Sequence, residues 1–211
     1  MAATNLTSAM ALQWLQKLSE TYEQHKDELT ALDAAIGDAD HGANMARGFT
    51  AVHGKLESLK DKDIGTIFKT VAMTLISTVG GASGPLYGTL FLQAATVANG
   101  KTELTHEELF NALSTGLKGL MSRGKAVVGE KTMVDALVPA LDAFKPVDND
   151  TLVAALERAT AAAKKGADST IPMVAKKGRA SYLGERSAGH MDPGCRSSCL
   201  LLENLLRVAQ T

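Results

Sequence analysis

Hydrophobic residues recur three and four positions apart along nearly the whole chain, the spacing of an apolar stripe on an α-helix. Across residues 9–32, Leu12, Leu15, Leu18 and Tyr22 keep this spacing with charged residues between them. Thr7 or Ser8 is placed to cap that helix, and Gly37 stands where a left-handed C-terminal glycine belongs. A second helix is predicted from about 40 to 59 on Met45, Phe49, Val52 and Leu56, and a third from about 63 to 79. A fourth starts at Pro85, a favourable first-turn proline, and runs to about 98. Thr105 with Glu108 forms a capping box that opens a fifth helix to about 122. A sixth covers about 131–144, and a seventh, capped by Asp150, about 150–168. The last lies over 195–210, and a short helical piece is expected near 171–177. No segment reads as paired strands, and the connector 145–149 is too short to be a domain linker. The expected fold is all-α: a single domain over residues 1–211, an antiparallel up-and-down barrel or bundle of about eight helices.

The 211 residues, 45% of them hydrophobic, suffice for one sizeable core. A formal net charge of −1 and 4% aromatics give no basic surface and no stacking platform for nucleic acid. The first 18 residues lack a basic start and an unbroken apolar run, so no signal peptide is expected. The most apolar stretch, residues 71–92, is broken by Gly80, Gly81, Gly84 and Pro85 and is too short on either side to span a bilayer. Cys195 and Cys199 read as buried, reduced thiols. These features predict a cytoplasmic protein with no nucleic-acid or membrane partner.

The glycines are unevenly placed. They gather at 37 and 42, at 80, 81, 84 and 88, at 124 and 129, and at 178, 184, 189 and 194. In an up-and-down arrangement, breaks after the first, third, fifth and seventh helices share one end. Four glycine-rich loops together there form a mouth for a ligand.

The residues at these breaks supply chemistry. In LDAAIGDADHG, a helix ending near Gly37 lets Asp33 face Asp38 and Asp40, which alternate on an extended stretch. Two readings stand. The aspartates are caps and turn formers, or they are three carboxylates kept ionised by a hard cation such as Mg²⁺ or Ca²⁺. An EF-hand is excluded, because a loop beginning at Asp38 would place Gly42, Ala43 and Phe49 where Asp or Asn, Gly and Glu are needed.

GGASGPLYGT opens a helix at a glycine-rich turn, which suits an anion at backbone N–H groups with Ser83 adding a hydroxyl, or else close helix packing. RGKAVVGEKTM approaches a Walker A loop, but Glu130 intrudes before Lys131 and Thr132 and no strand precedes it. In KKGRASYLGERSAGHMDPG, Lys177 or Arg179 is suited to pair with phosphate, or the run is a solvated charged loop. His41 adjoins the aspartates; His25, His53 and His106 fall on helix surfaces. Together, carboxylates, a glycine–serine helix start and cationic loops make the parts of a Mg²⁺–nucleotide phosphate site.

Those four segments, in this order and across nearly the whole chain, resemble the L subunits of dihydroxyacetone kinases (DhaL). The resemblance implies an eight-helix barrel with ADP or ATP at one end. It implies that Asp33, Asp38 and Asp40 hold two Mg²⁺ ions, with catalytic roles for Asp38 and Arg179. It also implies nucleotide contacts from His41, Gly42, Ala43, Asn44, Ala82, Ser83, Gly124, Met133, Arg179, Asp192, Pro193 and Gly194. Glu130 replaces a common Asp of the family, and Cys195 a common small residue. The implied partners are a DhaK-type subunit that holds dihydroxyacetone and a DhaM-type phosphotransferase-system donor, with a homodimer left open. The nearest alternatives are a subunit of an ATP-dependent ketose kinase, acting on dihydroxyacetone or erythrulose, and a Mg²⁺–nucleotide binder without transfer activity.

Overall fold

A computed structural model describes residues 3–148 and 150–211; Met1, Ala2 and Asn149, the last in the connector 145–149, lie outside the described residues. Nine α-helices are seen among the described residues: α1 (Ser8–Gln24), α2 (Lys26–Ile36), α3 (His41–His53), α4 (Ile64–Thr78), α5 (Ser83–Val97), α6 (His106–Gly124), α7 (Val134–Phe144), α8 (Leu152–Ser169) and α9 (Pro193–Ala209). Short 3-10 helices cover Leu56–Leu59 and Arg179–Ser187. Consecutive helices from α3 to α9 pack side by side, and α1 closes the ring by packing on both α3 and α9. Trp14, Phe68 and Phe91 meet inside this ring with centroids 5.6–6.2 Å apart, and Trp14 Nε1 donates to Leu201 O across the closure. The all-α fold expected from periodicity is observed, closed into the barrel that the family resemblance implies.

The departures have local causes. The first predicted helix breaks at His25, where Glu28 accepts from His25 and from Arg196 of α9, pinning the bend to the barrel wall. Gly37 is not left-handed (φ −141°). It must be glycine because a Cβ there would run into the Asp33 carboxylate, and the left-handed residue is Ala39 (φ +61°). The second helix stops at His53 and a 3-10 turn replaces its predicted tail.

The sixth begins at Val134 rather than 131, because Lys131 is left-handed (φ +61°) and the Asp135 carboxylate takes up the N–H groups of Gly129 and Thr132. Thr151, not Asp150, caps α8; Asp150 is occupied by Arg158. Residues 171–177 form no helix. One pair of two-residue strands, β1 (Leu6–Thr7) and β2 (Glu103–Leu104), was not foreseen; it is antiparallel and too short to show alternation. The Thr105–Glu108 capping box is present as predicted.

Candidate nucleotide site

The four glycine-rich breaks do meet at one end. There α2, α4 and α6 end, and α3, α5, α7 and α9 begin, around a cavity of about 420 Å³. His41, Ser83, Val134 and Pro193, the first residues of the four starting helices, all line it. Each helix start carries partial positive charge from unpaired N–H groups, so four of them aimed at one volume favour an anion there.

Against this field stands the acidic turn. Carboxylate oxygens of Asp33, Asp38 and Asp40 lie within 4.8 Å of one another. The capping explanation does not account for Asp38 and Asp40: the Asp40 side chain makes no cap bond, and the cap of α3 comes from Asp33. Asp33, 8% exposed on the last turn of α2, accepts the N–H groups of Asp40 (2.8 Å) and His41 (3.1 Å) with Oδ2. Its Oδ1 is therefore the oxygen left for a cation. An all-oxygen, three-carboxylate donor set suits Mg²⁺, whose remaining positions go to water or phosphate. Arg179, carried over this turn by the long loop, holds Asp38 Oδ2 at 3.0 Å from Nε.

His41 is buried and bridges two hydroxyls, with Nδ1 3.0 Å from Ser83 Oγ and Nε2 2.9 Å from Ser197 Oγ. Tyr87 and Ser198 extend this buried network to the start of α9. Burial lowers the His41 pKa, against the pull of Asp33 and Asp40. The network fixes the Ser83 hydroxyl at the cavity edge. Gly81 is left-handed (φ +62°), which turns the Gly80–Ala82 backbone into the mouth.

The far wall is apolar: Leu86, Leu120, Ala126, Met133 and Val134. Gly124 adjoins Leu86 there, and Asp192, Pro193 and Gly194 close the floor. Asp192 caps α9 through Cys195 N–H (2.7 Å). Burial pushes the Asp192 carboxyl up to about 7, with that same N–H pulling the other way. Cys195 and Cys199 are buried free thiols, as expected, and Cys195 Sγ donates to Thr132 O.

Of the residues implied by resemblance, Asp33, Asp38, Asp40, His41, Ala82, Ser83, Gly124, Met133, Arg179, Asp192, Pro193 and Gly194 line the cavity. Gly42, Ala43 and Asn44 do not. Gly42 instead lets α3 start against the α2 backbone at Lys26, and Asn44 is buried one turn deeper, bonded to Arg47. Of the apolar wall, sequence reading named Met133 but passed over Leu86 and Leu120, which look like ordinary helix-stripe residues. It also passed over Lys131 and Asp135. Both stand in the EKTMVD segment, but nothing local shows what they reach.

Residues 35–207 match the DAK2 domain. The chain belongs to the DAK2 domain family. The match begins in the last turn of α2 and ends in α9, so the four loops of the cavity fall within it and Asp33 stands just before it. Among DAK2 relatives, the chain is 46% identical over 208 residues, 98% of this chain and 99% of the other, to the ADP-binding subunit DhaL of PEP-dependent dihydroxyacetone kinase from Escherichia coli (strain K12). It is 45% identical, over 96% of this chain and 98% of the other, to the ADP-binding subunit DhaL of the PTS-dependent dihydroxyacetone kinase of Lactococcus lactis. The structure is similar to that of the dihydroxyacetone kinase of C. freundii in complex with AMP-PNP and Mg²⁺, with a TM-score of 0.71 and 26% identity. That alignment covers 98% of this chain but only 34% of the C. freundii chain.

Proposed function

We propose that this chain is the nucleotide-binding L subunit of a dihydroxyacetone kinase, a single domain over residues 1–211 that works in the cytoplasm with ADP as a resident cofactor. It serves phosphoryl transfer from a DhaM-type phosphotransferase-system protein to dihydroxyacetone held on a DhaK-type subunit. The observation that carries this reading is the convergence of four helix starts and three carboxylates on one cavity. That arrangement suits a polyphosphate with its metal ions, and the near full-length similarity to ADP-binding subunits supports it.

In this reading Asp33, Asp38 and Asp40 hold two Mg²⁺ ions. Such ions would supply positive charge to neutralise what develops on the transferred group. The protein's own groups do the rest. Ser83, oriented by His41, and the Gly80–Ala82 backbone face the phosphates. Gly42, Ala43 and Asn44 lend the first-turn field of α3 from behind. Gly124 and Met133, with the leucines beside them, form an apolar slot for the base. Arg179 offers a planar donor fork to the transferred group, and Asp192, Pro193 and Gly194 seal the floor against water. Among the described residues of the cavity, His41 is tied to two hydroxyls and the aspartates are taken as cation ligands, so in this reading the base for the sugar hydroxyl comes from the subunit that holds the ketose.

The test is the phosphoryl donor. ADP is expected to co-purify with the protein and to exchange slowly. With the K subunit and dihydroxyacetone, free ATP should support at most one slow turnover per bound nucleotide, and a phosphorylated phosphotransferase-system partner many. Sustained turnover on ATP alone would overturn the cofactor role and favour an ATP-dependent ketose kinase. Nucleotide binding without transfer under both conditions would favour a simple binder.

A further inference from the structure

Lys131 is 1% exposed, and among the described residues its hydrogen-bond partners are backbone carbonyls rather than a carboxylate. Its Nζ donates to the carbonyl oxygens of Thr170 (2.7 Å), Met173 (3.1 Å) and His190 (2.5 Å), with Ile171 O at 3.5 Å. An ammonium has three protons, and three carbonyls converge on it. Those carbonyls belong to the two stems of one loop. Residues 170–173 lead out of α8, and residue 190 leads back into α9; between them hangs the segment that carries Arg179.

The rest of the geometry serves the same joint. Asp135 accepts the N–H groups of Gly129 and Thr132. Lys131 between them is thereby held at φ +61°, a conformation that a lysine adopts only when its surroundings impose it. The stems are cross-tied nearby: Gly189 N donates to Ile171 O, Asp192 N to Thr170 Oγ1, and Ala175 N to Ser187 Oγ. Lys131 itself, with Thr132 and Met133 after it, also lines the cavity. One buried charge therefore joins the loop above the cavity to the segment that forms its wall.

We propose that Lys131 is a positioning residue: its ammonium clamps both stems of the 170–192 loop to the cavity wall, sets where Arg179 stands, and slows the exit of a bound nucleotide. The last clause rests on the function proposed above; the clamp itself does not. Burying a charge in a cage of carbonyls is worthwhile only if the cage is kept, because a neutral side chain would leave three carbonyls unpaired.

Two measurements test this. In the wild-type protein, the Lys131 ζ-NH₃⁺ protons should exchange slowly enough to give a resolved ¹H–¹⁵N signal with couplings to the carbonyl carbons of 170, 173 and 190. Exchange as fast as that of surface lysines would overturn the clamp, and this reading needs no variant to fold. In Lys131→Met, amide hydrogen exchange across 171–190 should speed up while α4 and α5 keep their protection. Release of a fluorescent ADP analogue in Mg²⁺ should accelerate by about tenfold or more, the scale of one lost hydrogen bond to a charged group. A uniform loss of protection through all helices, with nucleotide release unchanged, would make Lys131 purely structural and overturn the proposal. If the wild type binds no ADP, the nucleotide reading fails, and the ammonium signal and loop exchange still decide the clamp.

Discussion

Arg179 Nε stands 3.0 Å from Asp38 Oδ2, a contact between distant parts of the chain that joins the cationic loop to the acidic turn. Both side chains are well exposed, 68% and 36%, so the pair contributes at most about 1 kcal/mol to stability. A contact this weak in folding terms, held across the mouth of the cavity, points to work on a ligand. Arg179→Ala should leave the melting temperature nearly unchanged and lower phosphoryl transfer by about a hundredfold or more, the scale for losing one preorganised donor to developing charge. Arg179→Lys should restore little, because the planar fork is lost. Wild-type turnover in Arg179→Ala would return the loop to the role of a solvated charged surface.

The three aspartates should separate on mutation. Asp38→Asn and Asp40→Asn should abolish Mg²⁺-dependent ADP binding in calorimetry while circular dichroism stays the same, since neither side chain caps a helix. Asp33→Ala should lose binding and also about 0.5–2 kcal/mol of stability, because Asp33 accepts two N–H groups at the start of α3. Equal stability losses for all three would contradict this division of roles.

Gly42 is a packing residue. An alanine Cβ there would run into Lys26 O and crowd Thr30 N, forcing α3 away from α2. Gly42→Ala should cost about 1–3 kcal/mol in urea unfolding, as overpacked sites do. It should weaken Mg²⁺ binding as well, since the acidic turn joins these two helices. A variant as stable as the wild type would show that α2 and α3 can separate freely.

Asp192 gives the protein a stability that depends on pH. Its carboxyl is pushed up to about 7 by burial, whereas in the unfolded chain it titrates near its ordinary value of about 3.9. Between about pH 4 and pH 7 the unfolded chain releases this proton and the folded chain keeps it, so the group's contribution falls as pH rises and levels off above about 7. Asp192→Asn keeps a good helix cap and removes the titration. The variant should show a smaller loss of urea midpoint between pH 5 and pH 7.5 than the wild type. Identical pH profiles would place the Asp192 proton elsewhere.

What the sequence determined by itself is what short-range physics governs. Apolar spacings of three and four marked the helices, and the Thr105–Glu108 box marked a helix start to the residue. The glycine clusters located four breaks that an up-and-down chain must bring to one end, and the spacing of Asp33, Asp38 and Asp40 left two readings, caps and turn formers or a carboxylate cluster. Such signals act within a turn or two of the chain, so they survive without knowledge of the fold. Only the tertiary structure decided which of those aspartates caps a helix and which do not, because that depends on the bend at His25 and the angle between α2 and α3. Only it could bring Leu86 and Leu120 out of their helix stripes to form a wall, or carry Thr170 and His190, 39 and 59 residues away, to the ammonium of Lys131. A buried charge is tolerated only where distant carbonyls converge on it, and no local pattern records where that convergence occurs.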